Sequence, residues 1–199
     1  MKSMNPGKLR ERGQILRLNG ENTLEWQTLC DVWLKGQETG RRNLFSKLGI
    51  GAAGAEFLLR ERDLTLHDAI LYRGQHYFLT EIGREGIHPI YYKVQAARIT
   101  PQTVTVWRDQ VSKGEYGRPL REPEVIGSFP GLITEKYLGS VEETMHIESE
   151  ERLIVVAPKA AIYQTGDHFE IGENRYRVMV AHPFEDFKNE YEVKRVVDD

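Results

Sequence analysis

Ala69-Ile-Leu-Tyr72, Arg73-Gly-Gln75 and His76-Tyr-Phe-Leu-Thr-Glu-Ile82 follow one another without a break, and their reading decides the fold. Two runs of aliphatic and aromatic residues flank a glycine. Glycine takes a positive φ at little steric cost, so the centre turns tightly and the runs pair as an antiparallel hairpin. A second stretch has the same plan: His168-Phe-Glu-Ile171, Gly172-Glu-Asn174, Arg175-Tyr-Arg-Val-Met-Val180. Shifting the chain by 99 positions, without a gap, puts Asp68 on Asp167, Tyr77 on Tyr176, Tyr92 on Tyr191 and Val94 on Val193. Ile70 then meets Phe169, Tyr72 meets Ile171 and Leu79 meets Val178. The local plan of the two halves is the same, and an internal repeat changes how a whole fold is read.

Strand-like patterning continues outward from both hairpins. In the first half it covers Gln14 to Leu18, Leu24 to Leu34, Glu56 to Arg62 and Ile90 to Ile99; in the second, Thr103 to Trp107, Arg152 to Val156 and Glu190 to Val197. Many short strands with glycine-marked turns predict an all-β chain of two small β-barrel or sandwich domains in tandem, 1–100 and 101–199, divided near Thr100-Pro101. Helices are expected to be one or two short pieces at most, after Ser140 in a capping box and over Arg41 to Leu48. Lys35 to Ala55 and Gly114 to Ser149, with their glycines and prolines, read as long loops, which in compact domains are usually working parts.

The chain has 199 residues, 40% hydrophobic and 29% charged, with 19 aromatic rings, too apolar for a disordered polymer. Its net charge is −3, yet residues 1–100 sum to +4 and residues 101–199 to −7. That split predicts a two-ended subunit whose halves meet different neighbours. One cysteine, Cys30, leaves no intrachain disulfide and no cysteine-based zinc site. The N-terminal residues carry charges with no apolar run behind them, so neither a signal peptide nor a membrane span is expected.

Little in the sequence points to catalysis. Gly49-Ile-Gly-Ala-Ala-Gly54 has dinucleotide-fingerprint spacing but precedes a strand instead of opening a βαβ unit. The six histidines show no helical pairing of the kind a zinc protease needs, and His146 with Glu148, Glu150 and Glu151 reads as a solvated acidic stretch. Cys30 between Leu29 and Asp31 reads as core. No catalytic residue, cofactor or metal is assigned. The one competing binding chemistry is an oligonucleotide-binding β-barrel, with Tyr77, Phe78, Tyr91 and Tyr92 interleaved with Lys93.

Asn5-Pro-Gly-Lys-Leu-Arg10 leading into Ile15-Leu16, then Trp26 and Asp31-Val-Trp33, resembles the start of the tailed-phage head-closure, or head–tail joining, proteins. The most specific block is Arg60-Glu-Arg-Asp-Leu-Thr-Leu-His-Asp-Ala-Ile70 followed by Tyr72-Arg-Gly-Gln-His-Tyr77. The second half is similar, more loosely, to related neck proteins at Tyr116-Gly-Arg-Pro119, Val155-Val-Ala-Pro158, Gly166-Asp167, Gly172 to Tyr176 and Asn189-Glu-Tyr191. Family members are usually single units, so the tandem is a departure.

The resemblance implies a virion protein and not an enzyme. It would form a homo-oligomeric ring in the phage neck, assembled in the host cytoplasm, that closes the DNA exit channel beneath the portal and adaptor and receives the tail. The implied partners are portal and adaptor proteins, a tail or tail-completion protein, copies of the chain itself and the packaged DNA, with no membrane. Gly36, Gly40, Arg41, Arg42, Lys47 and Gly51 fall in the loop expected to face the channel, and the arm with Pro6, Lys8, Leu9, Arg10 and Arg12 is expected to touch a neighbouring subunit or the adaptor.

Overall fold

A computed structural model of the chain describes residues 9–43, 52–85, 90–113, 119–135, 152–184 and 188–196. These hold twelve strands: β1 (Glu11–Asn19), β2 (Glu25–Asn43), β3 (Ala52–Arg60), β4 (Ala69–Tyr72), β5 (Gln75–Glu85), β6 (Tyr91–Ile99), β7 (Gln102–Lys113), β8 (Pro119–Glu135), β9 (Arg152–Pro158), β10 (His168–Ile171), β11 (Asn174–Phe184) and β12 (Lys188–Val196). They form two closed barrels, β1-β2-β3-β6-β5-β4 and β7-β8-β9-β12-β11-β10, every neighbouring pair antiparallel. Closing a small sheet on itself removes its unpaired edges, which is how a short all-β unit avoids sticking to others at random.

The two barrels correspond strand for strand and share two of their irregularities, although the break in β2–β3 between Thr39 and Arg42 has no counterpart among the described β8–β9 pairs. A β-bulge adds Leu29 to β2 opposite Ile15 and Leu16, and Ile126 to β8 opposite Val106 and Trp107. Another interrupts β5 between Leu79 and Glu81, and β11 between Val178 and Val180. Bulges re-aim a strand and are unlikely to recur at matched positions by accident of pattern. The ungapped shift holds at Asp68 and Asp167 and at Tyr77 and Tyr176, but slips by two on the last strand. Leu79 pairs with Ala96 and Val178 with Val193, so Ala96 is the counterpart of Val193, and Val94 that of Tyr191. A slip of two keeps every side chain on its own face, which is why periodicity could not detect it.

Two long expected loops are strand wherever they are described. Gly36, Gly40, Arg41 and Arg42 belong to β2, which pairs with β1 up to Leu34 and with β3 from Leu34 to Asn43; the short helix expected from Arg41 is absent as far as Asn43, and its remainder lies outside the described residues. Pro119 to Glu135 is β8, in spite of Pro119, Pro123 and Pro130. β8 meets β9 only from Leu132 onward, so most of it has one sheet neighbour, and a proline costs no ladder bond on an unpaired edge. The helix after Ser140 and the acidic stretch around His146 also lie outside the described residues.

Alternate residues fill each barrel. Phe57, Tyr72 and Tyr77 meet edge to face in the first, and Phe129, Phe169 and Tyr191 do so in the second. The opposite face of one side is buried as well. Leu16, Ala69, Phe78, Ala97 and Ile99 leave the first barrel's outer wall and pack against Ile154 and Val156 of the second. Strands covered on both faces read as unbroken apolar runs, as Ala69 to Tyr72 and Tyr77 to Leu79 do. The turn after β1 also reaches across. Leu24 N donates to Ser128 O at 2.8 Å, Ser128 N donates to Asn22 O at 2.9 Å, and the Leu24 side chain joins the second core. Gly127 permits this approach, because a Cβ there would lie 2.6 Å from Asn22 O.

Candidate interaction surfaces

Each barrel is tied at its entry turn by an arginine and an aspartate. Asp68 and Asp167 precede β4 and β10 and are each 1% exposed. Arg17 Nε donates to Asp68 Oδ1 at 2.8 Å and Nη2 to Oδ2 at 3.0 Å; Arg108 makes the same fork on Asp167 at 2.7 and 2.8 Å. The backbone N–H three residues earlier, of Thr65 or Gln164, donates to the same carboxylate. Hydrogen bonding to its aspartate holds each guanidinium more firmly protonated than usual. Only the aspartates were visible as a repeat. Arg17 and Arg108 stand at a different spacing and surface as partners only after folding. Because the carboxylate is buried and its bonds are charge-assisted, Asp167→Ala should lower stability by about 3 kcal/mol in urea unfolding, with the Arg108 guanidinium returning to solvent.

A second cluster sits where the channel-facing residues were sought. Tyr72 hydroxyl donates to the Glu11 carboxylate, and Arg73 Nη2 reaches the same oxygen at 2.8 Å. Burial, and then this bond, push the Tyr72 phenol up to about 12, while the bond from Tyr72 lowers Glu11. Gly36 is part of this packing: a Cβ on it would come within 2.8 Å of the Tyr72 ring. Gly40 is exposed with open space around its Cβ position, and Arg41 and Arg42 are placed as backbone of β2. Lys47 and Gly51 lie outside the described residues, as do Pro6 and Lys8. Leu9 and Arg10 precede β1. Arg12, expected in a free arm, lies in β1 with its guanidinium 4.9 Å above the Trp33 ring.

Lys188 carried no signal in the sequence. It lies on the outer face of β12, fully buried by the first barrel. Its Nζ donates to Leu66 O at 3.1 Å and stands 4.5 Å from the Phe78 ring centre. Burial pulls its ammonium down to about 7, and the charge of Asp68 opposes that fall.

Among the described residues, one cleft of about 280 Å³ lies between the barrels, bordered by Ala52, Ala53, Ile99 and Leu132, and two more each open on the outer wall of a single barrel. One, of about 260 Å³, is lined by Trp107, Asp109, Pro123, His168, Arg175 and Val196 on the second barrel. The other, of about 100 Å³, is lined by Lys35, Gln37, Glu56, Leu58, Glu85 and Lys93 on the first. Lys93 Nζ lies 3.0 Å from Glu56, and the Glu56, Glu85 and Glu81 charges all favour its protonated form. Neither cleft brings a nucleophile to a base. Among the described residues no group of three or more His, Cys, Asp or Glu side chains is placed to hold a metal ion. Arg62 Nη1 lies 3.1 Å from Cys30 Sγ, which is half-buried against the first core. Among the described residues no helix is long and apolar enough to cross a membrane.

Of the rings offered for base stacking, Tyr77, Phe78 and Tyr91 are buried, and Tyr92 is half-buried with its hydroxyl donating to Glu61 at 3.3 Å. Comparison with family models, with curated proteins and with solved structures found no match to this chain.

Proposed function

We propose that the chain is a structural component of a tailed-phage neck, assembling as a ring that joins the head connector to the tail and retains packaged DNA. The observation that carries this reading is the long β2–β3 ribbon. β2 and β3 pair from Leu34 and Leu59 to Thr39 and Gly54 and, past a register break, at Arg42–Ala53 and Asn43–Ala52, two pairs beyond the last β3–β6 pair at Gly54. The ribbon carries Arg41 and Arg42 in its backbone. A rigid barrel that extends a basic ribbon suits a part that grips a polyanion while its body packs against neighbours. The block that carries the resemblance forms one continuous piece of this barrel, from the end of β3 through the Asp68 turn to the β4–β5 hairpin.

The test is to label the chain in purified particles and to mix isolated protein with portal–adaptor complexes. Co-sedimentation, with density in the neck, is expected; absence from particles would remove the reading. Reversing the charges of Arg41, Arg42 and Lys47 together is expected to leave heads that assemble but lose DNA. Oligonucleotide binding has no specific observation in its favour, since three of its four rings are buried.

A further inference from the structure

The buried seam between the barrels is made of one cross-strand row on each side, and each row has a counterpart that borders an open cleft, with Leu58 and Tyr91 there already buried. On the first barrel the row runs Leu16, Ala69, Phe78, Ala97, each residue paired with the next. Its partner on the second barrel is the row Leu132, Val156, Glu190, with Lys188 beside it. Since the barrels match strand for strand, the first row's counterpart on the second barrel is Trp107, His168, Arg177, Lys194. The second row's counterpart on the first barrel is Lys35, Leu58, Lys93, with Tyr91 and Glu85 standing where Lys188 and Phe184 stand. Lys35, Leu58 and Lys93 line one open cleft, and Trp107 and His168 of the other row line the second.

We propose that the open face of the second barrel docks on the open face of the first barrel of another copy, repeating between molecules the packing that joins the barrels within one. Such a contact uses two different surfaces, so it propagates head to tail and gives a ring when the rotation closes. The substitutions between the rows agree with a joint that must first be soluble. Phe78 and Ala97 become Arg177 and Lys194, and Ile154 becomes Glu56, while Trp107, Val196 and Leu58 keep an apolar centre. Each face carries both signs: Arg175 and Arg177 with Asp109 and Glu170 on one, and Glu56, Glu81 and Glu85 with Lys35 and Lys93 on the other, so the joint turns on opposing single charges, Arg177 against Glu85. Among the described residues, Trp107 Nε1 is buried with no hydrogen-bond partner. The strand-edge part of the seam is not repeated. Cys30 occupies the position of Gly127, and its Cβ closes the approach that Gly127 leaves open.

This deepens the ring of the proposed function, resting on that reading for its purpose and on the internal repeat for its surfaces. Inside the chain, Phe78 touches Lys188, whose cross-strand partner is Phe184; the counterparts are Arg177 of one copy facing the exposed Glu85, cross-strand partner of the buried Tyr91, of the next. Sedimentation velocity of the full chain at low salt, up to about 100 µM, should show species larger than dimers. Arg177→Glu and Glu85→Arg, both at exposed positions, should each weaken association about ten-fold while near-UV circular dichroism stays unchanged. The double variant Arg177→Glu, Glu85→Arg should recover to within about three-fold of the parent, because every joint then has its pair reversed. A monomer at every concentration, association that stops at a dimer, or a double variant as weak as the singles would overturn the proposal. A chain absent from particles that still assembles through these faces would remove the neck reading and leave this one standing.

Discussion

Phe78→Ala is expected to cost about 4 kcal/mol, within the range for truncating a buried aromatic. Phe78 is 0% exposed although it points out of its own barrel. Its ring lies 5.9 Å from that of Trp26 and under the Lys188 ammonium, in the apolar layer shared with Ile154 and Val156. The cavity would therefore open between the barrels and not inside one. Differential scanning calorimetry should show it: the parent melts in one transition, and Phe78→Ala in two, as the barrels uncouple. Leu79→Ala, at the next residue but inside the first core, serves as the control. It should destabilise by about 3 kcal/mol and keep a single transition. A single transition in Phe78→Ala would mean that the barrels are coupled by something other than this layer.

Lys188→Met is expected to abolish a pH dependence. Burial lowers the folded-state ammonium from its ordinary 10.5 to about 7. Between those values the unfolded chain binds the proton and the folded chain does not, so parental stability rises with pH across that window. Below about 7 both states are protonated, and the full penalty of the buried charge is present. The groups around it are Asp68 from the first barrel, itself held by Arg17, and Glu190 on its own strand, also fully buried. Methionine keeps the volume without the charge. Urea unfolding at about pH 6 and pH 10 should show the gain from Lys188→Met shrinking by a few kcal/mol between the two, whatever the loss of the Leu66 carbonyl partner adds to both. Equal gains at both values would show that the lysine is not buried as charge against this seam.

The legibility of the fold was uneven for identifiable reasons. The β4–β5 and β10–β11 hairpins could be read directly, because each has its glycine at a positive φ, Gly74 at 73° and Gly172 at 61°, between runs of strand-forming residues. β8 could not. Its three prolines signal a break wherever both edges of a strand are paired, and only the topology reveals that most of β8 has a single neighbour. The upper part of β2 failed similarly, since Gly36 and Gly40 lower strand propensity and the partner that overrides it, β3, lies beyond the chain reversal. The functional candidates divide along the same line. Asp68 and Asp167 stood out by repetition, but their arginines, and Lys188, are defined by contacts between segments far apart in the chain.

Charge behaved in the same way. The halves sum to +4 and −7, yet the open face of the basic half sets Glu56, Glu81 and Glu85 beside Lys35 and Lys93, and that of the acidic half presents Arg175 and Arg177 beside Asp109. A sum over a segment takes no account of which side of a strand a residue occupies. The amino-acid order alone determined what is local: which residues extend, where glycine turns the chain, which side chains share a face, and that the plan occurs twice. The tertiary structure alone decided that each sheet closes, that one outer wall of each barrel is covered, and that a lysine lies beneath it. Periodicity specifies the two faces of a strand, but whether an outward face meets water or another sheet depends on residues a hundred positions away, and no local pattern encodes that distance.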